Sequence, residues 1–164
     1  KVELVIADNK SEAAESASAM QKLVQDKVVA VIAPIASSSV IAGAQINQDS
    51  KVLAISPTAS NPKVTVDEKG KVRPYLFRAS FIDPFQGSVM AAFATKSLKA
   101  KTAAIYIDNS SDYAKGLAKY FEEEFVKAGG QIVIKEAYLQ KDTDFKATLT
   151  KIKATNPEVI SGPG

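Results

Sequence analysis

The sequence predicts an α/β protein built on parallel sheets with helices on both faces. Three observations lead there. Apolar runs of about six residues alternate with longer segments of helical periodicity, the pattern of strands joined by crossover helices. Most of those runs are apolar throughout, as strands covered on both faces are. The segments between them carry helix start and stop signals.

Taken in order, strands are expected at Val2–Ala7, Val28–Ile32, Val52–Ile55, Tyr75–Ala79, Thr102–Ile107, Gln131–Tyr138 and Glu158–Ser161. Asn9 followed by Glu12 has the spacing of a capping box, after which Ala13, Ala17, Met20 and Val24 share one helix face. Asp83-Pro84-Phe85-Gln86 opens a second helix with an acidic N-cap and proline at the first helical position, and Phe85, Val89, Phe93 and Ala94 follow as its expected buried stripe. Ser111-Asp112 opens the next, with Leu117, Phe121 and Phe125 as its face and Gly129-Gly130 as its stop. Asp142 to Asp144 opens the last, with Phe145, Leu149 and Ile152 on one side.

The stretch Ser56 to Pro74 interrupts the alternation with Pro57, Pro62, Pro74, the breakers Asn61 and Gly70, and the charge run Asp67-Glu68-Lys69. A structureless segment of that length inside a domain is usually functional or mobile. Ser80 to Asp83 then reads as a passage between lobes, which divides the chain into residues 1–80 and 81–164. Two cores follow from that division, one from Val5, Val24, Val31, Ile41 and Ile55, the other from Val89, Phe93, Ile105, Phe121, Ile132 and Leu149. A single sheet with a long surface loop is the alternative.

Composition excludes several functions. The 164 residues are 46% hydrophobic and 24% charged, ordinary for a globular chain, and no apolar run is long enough to span a bilayer. With neither cysteine nor histidine, the chain offers no thiolate or imidazole for zinc, for a Ser-His-Asp triad or for acid/base work. Twenty-one basic against 18 acidic residues give only +3, and only Arg73 and Arg78 are arginine, so no nucleic-acid partner is expected. No signal peptide stands at the start. A chain that begins and ends on sheet elements reads as a portion of a longer one.

Two segments place hydroxyls and free backbone N–H groups where strands give way to helix or turn: Ile32-Ala33-Pro34-Ile35-Ala36-Ser37-Ser38-Ser39 and Ile55-Ser56-Pro57-Thr58-Ala59-Ser60-Asn61-Pro62. Ligands of open α/β sheets bind outside the carboxyl ends of strands, and such N–H groups suit a small anion. Each serine taken singly fits a helix cap equally well. Neither segment has the glycines of a Walker loop or a dinucleotide fingerprint. Asp108 to Tyr113 ends a further strand, and Tyr113 can cover a ligand or pack in the first helical turn. Asp108 lacks the partners of a phosphoacceptor, since Asp8 is single and no lysine follows a later strand end as a receiver domain needs. Glu122-Glu123-Glu124 is a solvated face.

Six segments in order carry a resemblance: Val5-Ile6-Ala7-Asp8-Asn9, Ala33-Pro34-Ile35-Ala36-Ser37-Ser38, Ile55 through Pro62, Phe77-Arg78 with Asp83 and Gln86-Gly87, Asp112-Tyr113-Ala114-Lys115-Gly116, and Asp142-Thr143-Asp144-Phe145. The chain resembles the type I periplasmic binding proteins, and within them the leucine/isoleucine/valine-binding proteins of branched-chain amino-acid ABC transporters. The resemblance implies two Rossmann-like lobes, both incomplete here: the first lacks its opening strand and helix, the second about half its length. It implies an extracytoplasmic solute-binding component that performs no chemistry and uses no cofactor or metal, with permease and ATPase subunits as membrane partners. Ser37 and Ser60 would hold the carboxylate of an amino acid, helped by backbone at Thr58, with Tyr113 as a contact from the second lobe. The ammonium partner would lie in a part absent from this chain. Two rivals stand beside this reading, an amide or urea sensor of the same fold and an α/β enzyme working with Ser and Lys.

Overall fold

Two three-stranded parallel sheets organise the chain, one in each of two units, Lys1–Phe81 and Ile82–Gly164, in a computed structural model that describes residues 1–164. No helix is long and apolar enough to cross a membrane.

In the first unit α1 (Ala13–Gln25), β1 (Ala30–Ile32), α2 (Ser37–Ser50), β2 (Leu53–Ser56) and β3 (Leu76–Arg78) follow in order, and the sheet runs β1-β2-β3. Val31 pairs with Ala54 and Ile55 with Phe77, so the carboxyl ends of all three strands lie at one edge. Met20 of α1, Val40 and Ala44 of α2, and Val31, Ala54 and Leu76 of the strands form one cluster, which places both helices on the same face. Expected core positions shift accordingly. Ile55 is 40% exposed and Ile32 78%, because their side chains alternate onto the face that α1 and α2 leave uncovered, and Val5 is 40% exposed. The capping box is also corrected. α1 begins at Ala13 with Glu12 in the cap position and no side-chain cap, while the Asn9 amide donates to Ser16 Oγ at 2.9 Å.

Val2–Ala7 is not a strand. A strand exists by its hydrogen-bonded ladder, and this segment pairs with nothing, leaving Val2 96% exposed. Nor is Ser56–Pro74 structureless. A 3₁₀ turn spans Pro62–Val64, capped by Asn61 Oδ1 accepting from Lys63 N–H at 2.9 Å, and an isolated antiparallel bridge joins Val66 to Val72. Between them the Asp67 carboxylate accepts from the N–H groups of Lys71 and Lys69, and the Lys71 bond is the main cause that holds it below the usual carboxylate range.

In the second unit come α3 (Asp83–Ala92, continued by a π turn over Phe93–Ser97), β4 (Thr102–Asp108), α4 (Asp112–Lys127), β5 (Gln131–Tyr138), α5 (Lys146–Ala154) and β6 (Val159–Ser161), with sheet order β5-β4-β6. The local signals for α4 work as the sequence suggests. Ser111 Oγ accepts from Ala114 N–H at 3.2 Å, and past the last turn Gly129 takes φ +88° while Gly130 N–H returns to Phe125 O. Helices lie on both faces of this sheet: Ile105 packs with Phe121 and Phe125 of α4, and the next residue, Tyr106, meets Phe145 ahead of α5.

Of the stripe expected along α3 only Ala94 is buried. Phe85, Val89 and Phe93 are 62%, 51% and 57% exposed, and Asp83, Gly87 and Ala91 are buried in their place. Small side chains win that face because α4 approaches too closely for large ones: a Cβ on Gly87 would stand 2.6 Å from Tyr120 Cβ. Leu149 is likewise exposed at 47%, and Ile152 alone seats α5.

Glu158, just before β6, accepts from the N–H groups of Lys101 and Thr102 at the start of β4, and these bonds hold its carboxyl below its ordinary 4.5. A depressed folded-state pKa means the stabilisation is present above the ordinary value and is lost as pH falls through the lowered one. Glu158→Gln should therefore destabilise the second unit in urea melts at pH 7, with the gap to the unmodified protein closing as pH is lowered below 4.5. A gap independent of pH would show that the carboxylate charge is immaterial there.

Candidate functional site

At the carboxyl edge of the first sheet, β1 and β2 are hydrogen-bonded neighbours, and the two hydroxyl-bearing segments leave it side by side. Ser56 fixes their spacing. Fully buried, its hydroxyl donates to Pro34 O at 3.3 Å and accepts from Ala59 N–H at 3.0 Å, joining the turn after β1 to the turn after β2. Thr58 Oγ1 adds a second cross-link, donating to Ile35 O at 2.9 Å. The hydroxyl proton of Thr58 is thereby engaged, so its N–H is the group it can present to a ligand.

Ser37 opens α2 and is 2% exposed. Its Oγ accepts from Asn61 N–H at 3.3 Å, which ties the helix start to the residue after Ser60 and leaves the Ser37 proton to be donated elsewhere. Ser60 is 4% exposed, and its hydroxyl takes part in none of the hydrogen bonds that tie the two segments together. The structure thus brings Ser37, Thr58 and Ser60 to one edge. Around them stand the first N–H groups of α2, which no helix carbonyl can satisfy. This is a cluster of donors with no carboxylate among its members, a chemistry suited to a small anion.

Tyr113 lies in the second unit, in the first turn of α4 and partly exposed. Gln86 Nε2 of α3 donates to its hydroxyl at 2.9 Å. No group of acidic, His or Cys side chains is placed to hold a metal ion.

Residue-type reasoning passed over two positions that build this site. Ser56 reads as one more hydroxyl in a hydroxyl-rich turn. Arg78 is the second: its guanidinium, at the end of β3, donates to Asn61 O at 2.9 Å, Thr65 Oγ1 at 2.7 Å, and Ala59 O and Pro62 O at 3.3 Å each. The available signal was its rarity, since lysine supplies nearly every other positive charge in the chain.

Comparison with known proteins adds independent findings. The model of a family described as periplasmic binding protein matches residues 1–162. An amino acid binding protein of Pseudomonas aeruginosa is 34% identical over 161 residues, covering 98% of this chain and 42% of the relative. The crystal structure of a leucine binding protein, LivK, from Thermotoga maritima superposes with a TM-score of 0.94 at 38% identity, covering 100% of this chain and 45% of that one. The branched-chain amino acid transporter substrate binding protein LivJ from Streptococcus pneumoniae, solved in complex with isoleucine, gives 0.86 at 42% identity, covering 99% and 44%. The chain therefore spans less than half the length of these relatives.

Proposed function

We propose that this chain, which belongs to the periplasmic binding protein family, is a portion of the extracytoplasmic solute-binding component of an ABC importer and binds an amino acid, branched-chain and aliphatic, without transforming it. One observation carries the ligand's class. Ser37 and Ser60, on adjacent strand ends and linked through Asn61 N–H, offer donors and no competing anion, which suits a carboxylate. The aliphatic side chain rests on likeness to relatives named for leucine and for branched-chain amino acids. Thr58 contributes its backbone N–H and Tyr113 is a further ligand contact.

The absence of a chemical step agrees with a family of binding proteins and with a donor cluster that contains no base. Membrane permease and ATPase subunits are the partners such a component delivers to. The division into residues 1–80 and 81–164 as portions of two lobes belongs to the same proposal.

Titration calorimetry on the full-length protein tests it. L-Isoleucine, L-leucine and L-valine should bind and be recovered unchanged, while urea and acetamide should not bind. Binding of the amides alone would favour a sensor of the same fold, and turnover of any amino acid would overturn the reading.

A further inference from the structure

Arg78 spans four acceptors of one short loop, three of them backbone carbonyls, and the loop is the one that carries Ser60. One of those carbonyls belongs to Ala59, so the bond fixes the plane of the peptide that joins Ala59 to Ser60. Every peptide bond here is trans, and in a trans peptide the C=O and N–H point in opposite directions. Holding Ala59 O toward the guanidinium therefore turns Ser60 N–H away from it. On the next peptide, Asn61 N–H is committed to Ser37 Oγ. Ser60 N–H has no acceptor in the protein. The loop is thus clamped at its carbonyls, and Ser60 N–H is left beside the hydroxyl of the same residue.

We infer that Arg78 is a positioning residue for anion recognition: it orients the Ala59–Ser60 peptide so that Ser60 presents its N–H together with its hydroxyl to a ligand carboxylate. The inference rests on the carboxylate assignment to Ser37 and Ser60. A lysine is a poor substitute, since an ammonium on a flexible stem cannot reproduce the planar fork that reaches four acceptors at once. The guanidinium charge also polarises the peptide from its carbonyl side, making Ser60 N–H a better donor.

Two measurements on the full-length protein test this, with Arg78→Lys and Arg78→Met as variants. Titrated with L-isoleucine and with L-isoleucinamide, which lacks the carboxylate, the variants should lose about tenfold or more in affinity for the acid, the size of one charge-assisted hydrogen bond, and much less for the amide. Equal losses for both ligands, or an unchanged acid affinity in both variants, would overturn the inference. Without ligand, the loop amides of Asn61, Lys63 and Val64 should exchange hydrogen about tenfold faster in Arg78→Met, while Ala54 of the ladder stays protected. Unchanged loop exchange would overturn the clamp by itself. Failure of the unmodified protein to bind either ligand would instead count against the carboxylate assignment, and the exchange result would still decide the clamp.

Discussion

Ser60→Ala is expected to weaken amino-acid binding by the full-length protein about 10- to 150-fold, whereas Tyr113→Phe should change it far less. Ser60 is 4% exposed and its hydroxyl is left out of the bonds that join the two turns, so removing it deletes a donor to a buried carboxylate, a loss that costs about 1.5 to 3 kcal/mol. Tyr113→Phe retains the ring and its apolar surface. It gives up a hydroxyl that already accepts from Gln86 and is partly exposed, where water can replace it. Calorimetric titration of both variants with L-isoleucine reads the difference. A larger loss from Tyr113→Phe would mean that the second unit dominates recognition.

Gly87→Ala should be strongly destabilising to the second unit for a change of one methyl group. An added Cβ would meet Tyr120 Cβ at 2.6 Å and Phe121 N at 2.8 Å, distances that real side chains do not tolerate. Two effects oppose each other. Alanine in a helix interior gains about 1 kcal/mol over glycine. Overpacking costs about 1 to 3 kcal/mol, and here it falls at the upper end because one obstacle is backbone, which no rotamer change can move. The clash wins, and a net loss of about 2 kcal/mol should lower the melting temperature of a unit this size by roughly 10 °C. A variant as stable as the original would show that α3 and α4 can separate freely.

These positions also mark where the sequence is legible and where it is not. Signals that act within one turn of helix are readable: the Ser111 cap, the Gly129-Gly130 stop, and the Leu117, Phe121, Phe125 face of α4 all lie where periodicity places them. Signals that depend on a neighbour are not. Phe85, Val89 and Phe93 form a good apolar stripe, yet the close approach of α4 selects the opposite, small-residue face, which periodicity ranks lower. Val2–Ala7 has strand composition throughout, but pairing requires a partner that composition cannot supply.

The candidate site divides the same way. That hydroxyls gather after β1 and β2 follows from two apolar runs each ending in serine-rich turns, and their closeness follows from parallel pairing of consecutive strands. Which hydroxyl is structural and which is free is a question of partners across about 20 residues of sequence. Ser56 turns inward to Pro34 O and Thr58 to Ile35 O, leaving Ser37 and Ser60 with protons to give. Arg78 is farther still from residue-type reasoning, because its role is exercised through carbonyls, which every residue has.

The central claim, that this edge holds a ligand carboxylate, is met most directly by a crystal structure of the full-length protein with L-isoleucine bound. The account predicts the carboxylate oxygens within hydrogen-bond distance of Ser37 Oγ, Ser60 Oγ and Ser60 N–H, with Arg78 still on Ala59 O. A carboxylate held by other residues, with Ser37 and Ser60 facing water or the aliphatic side chain, would contradict it.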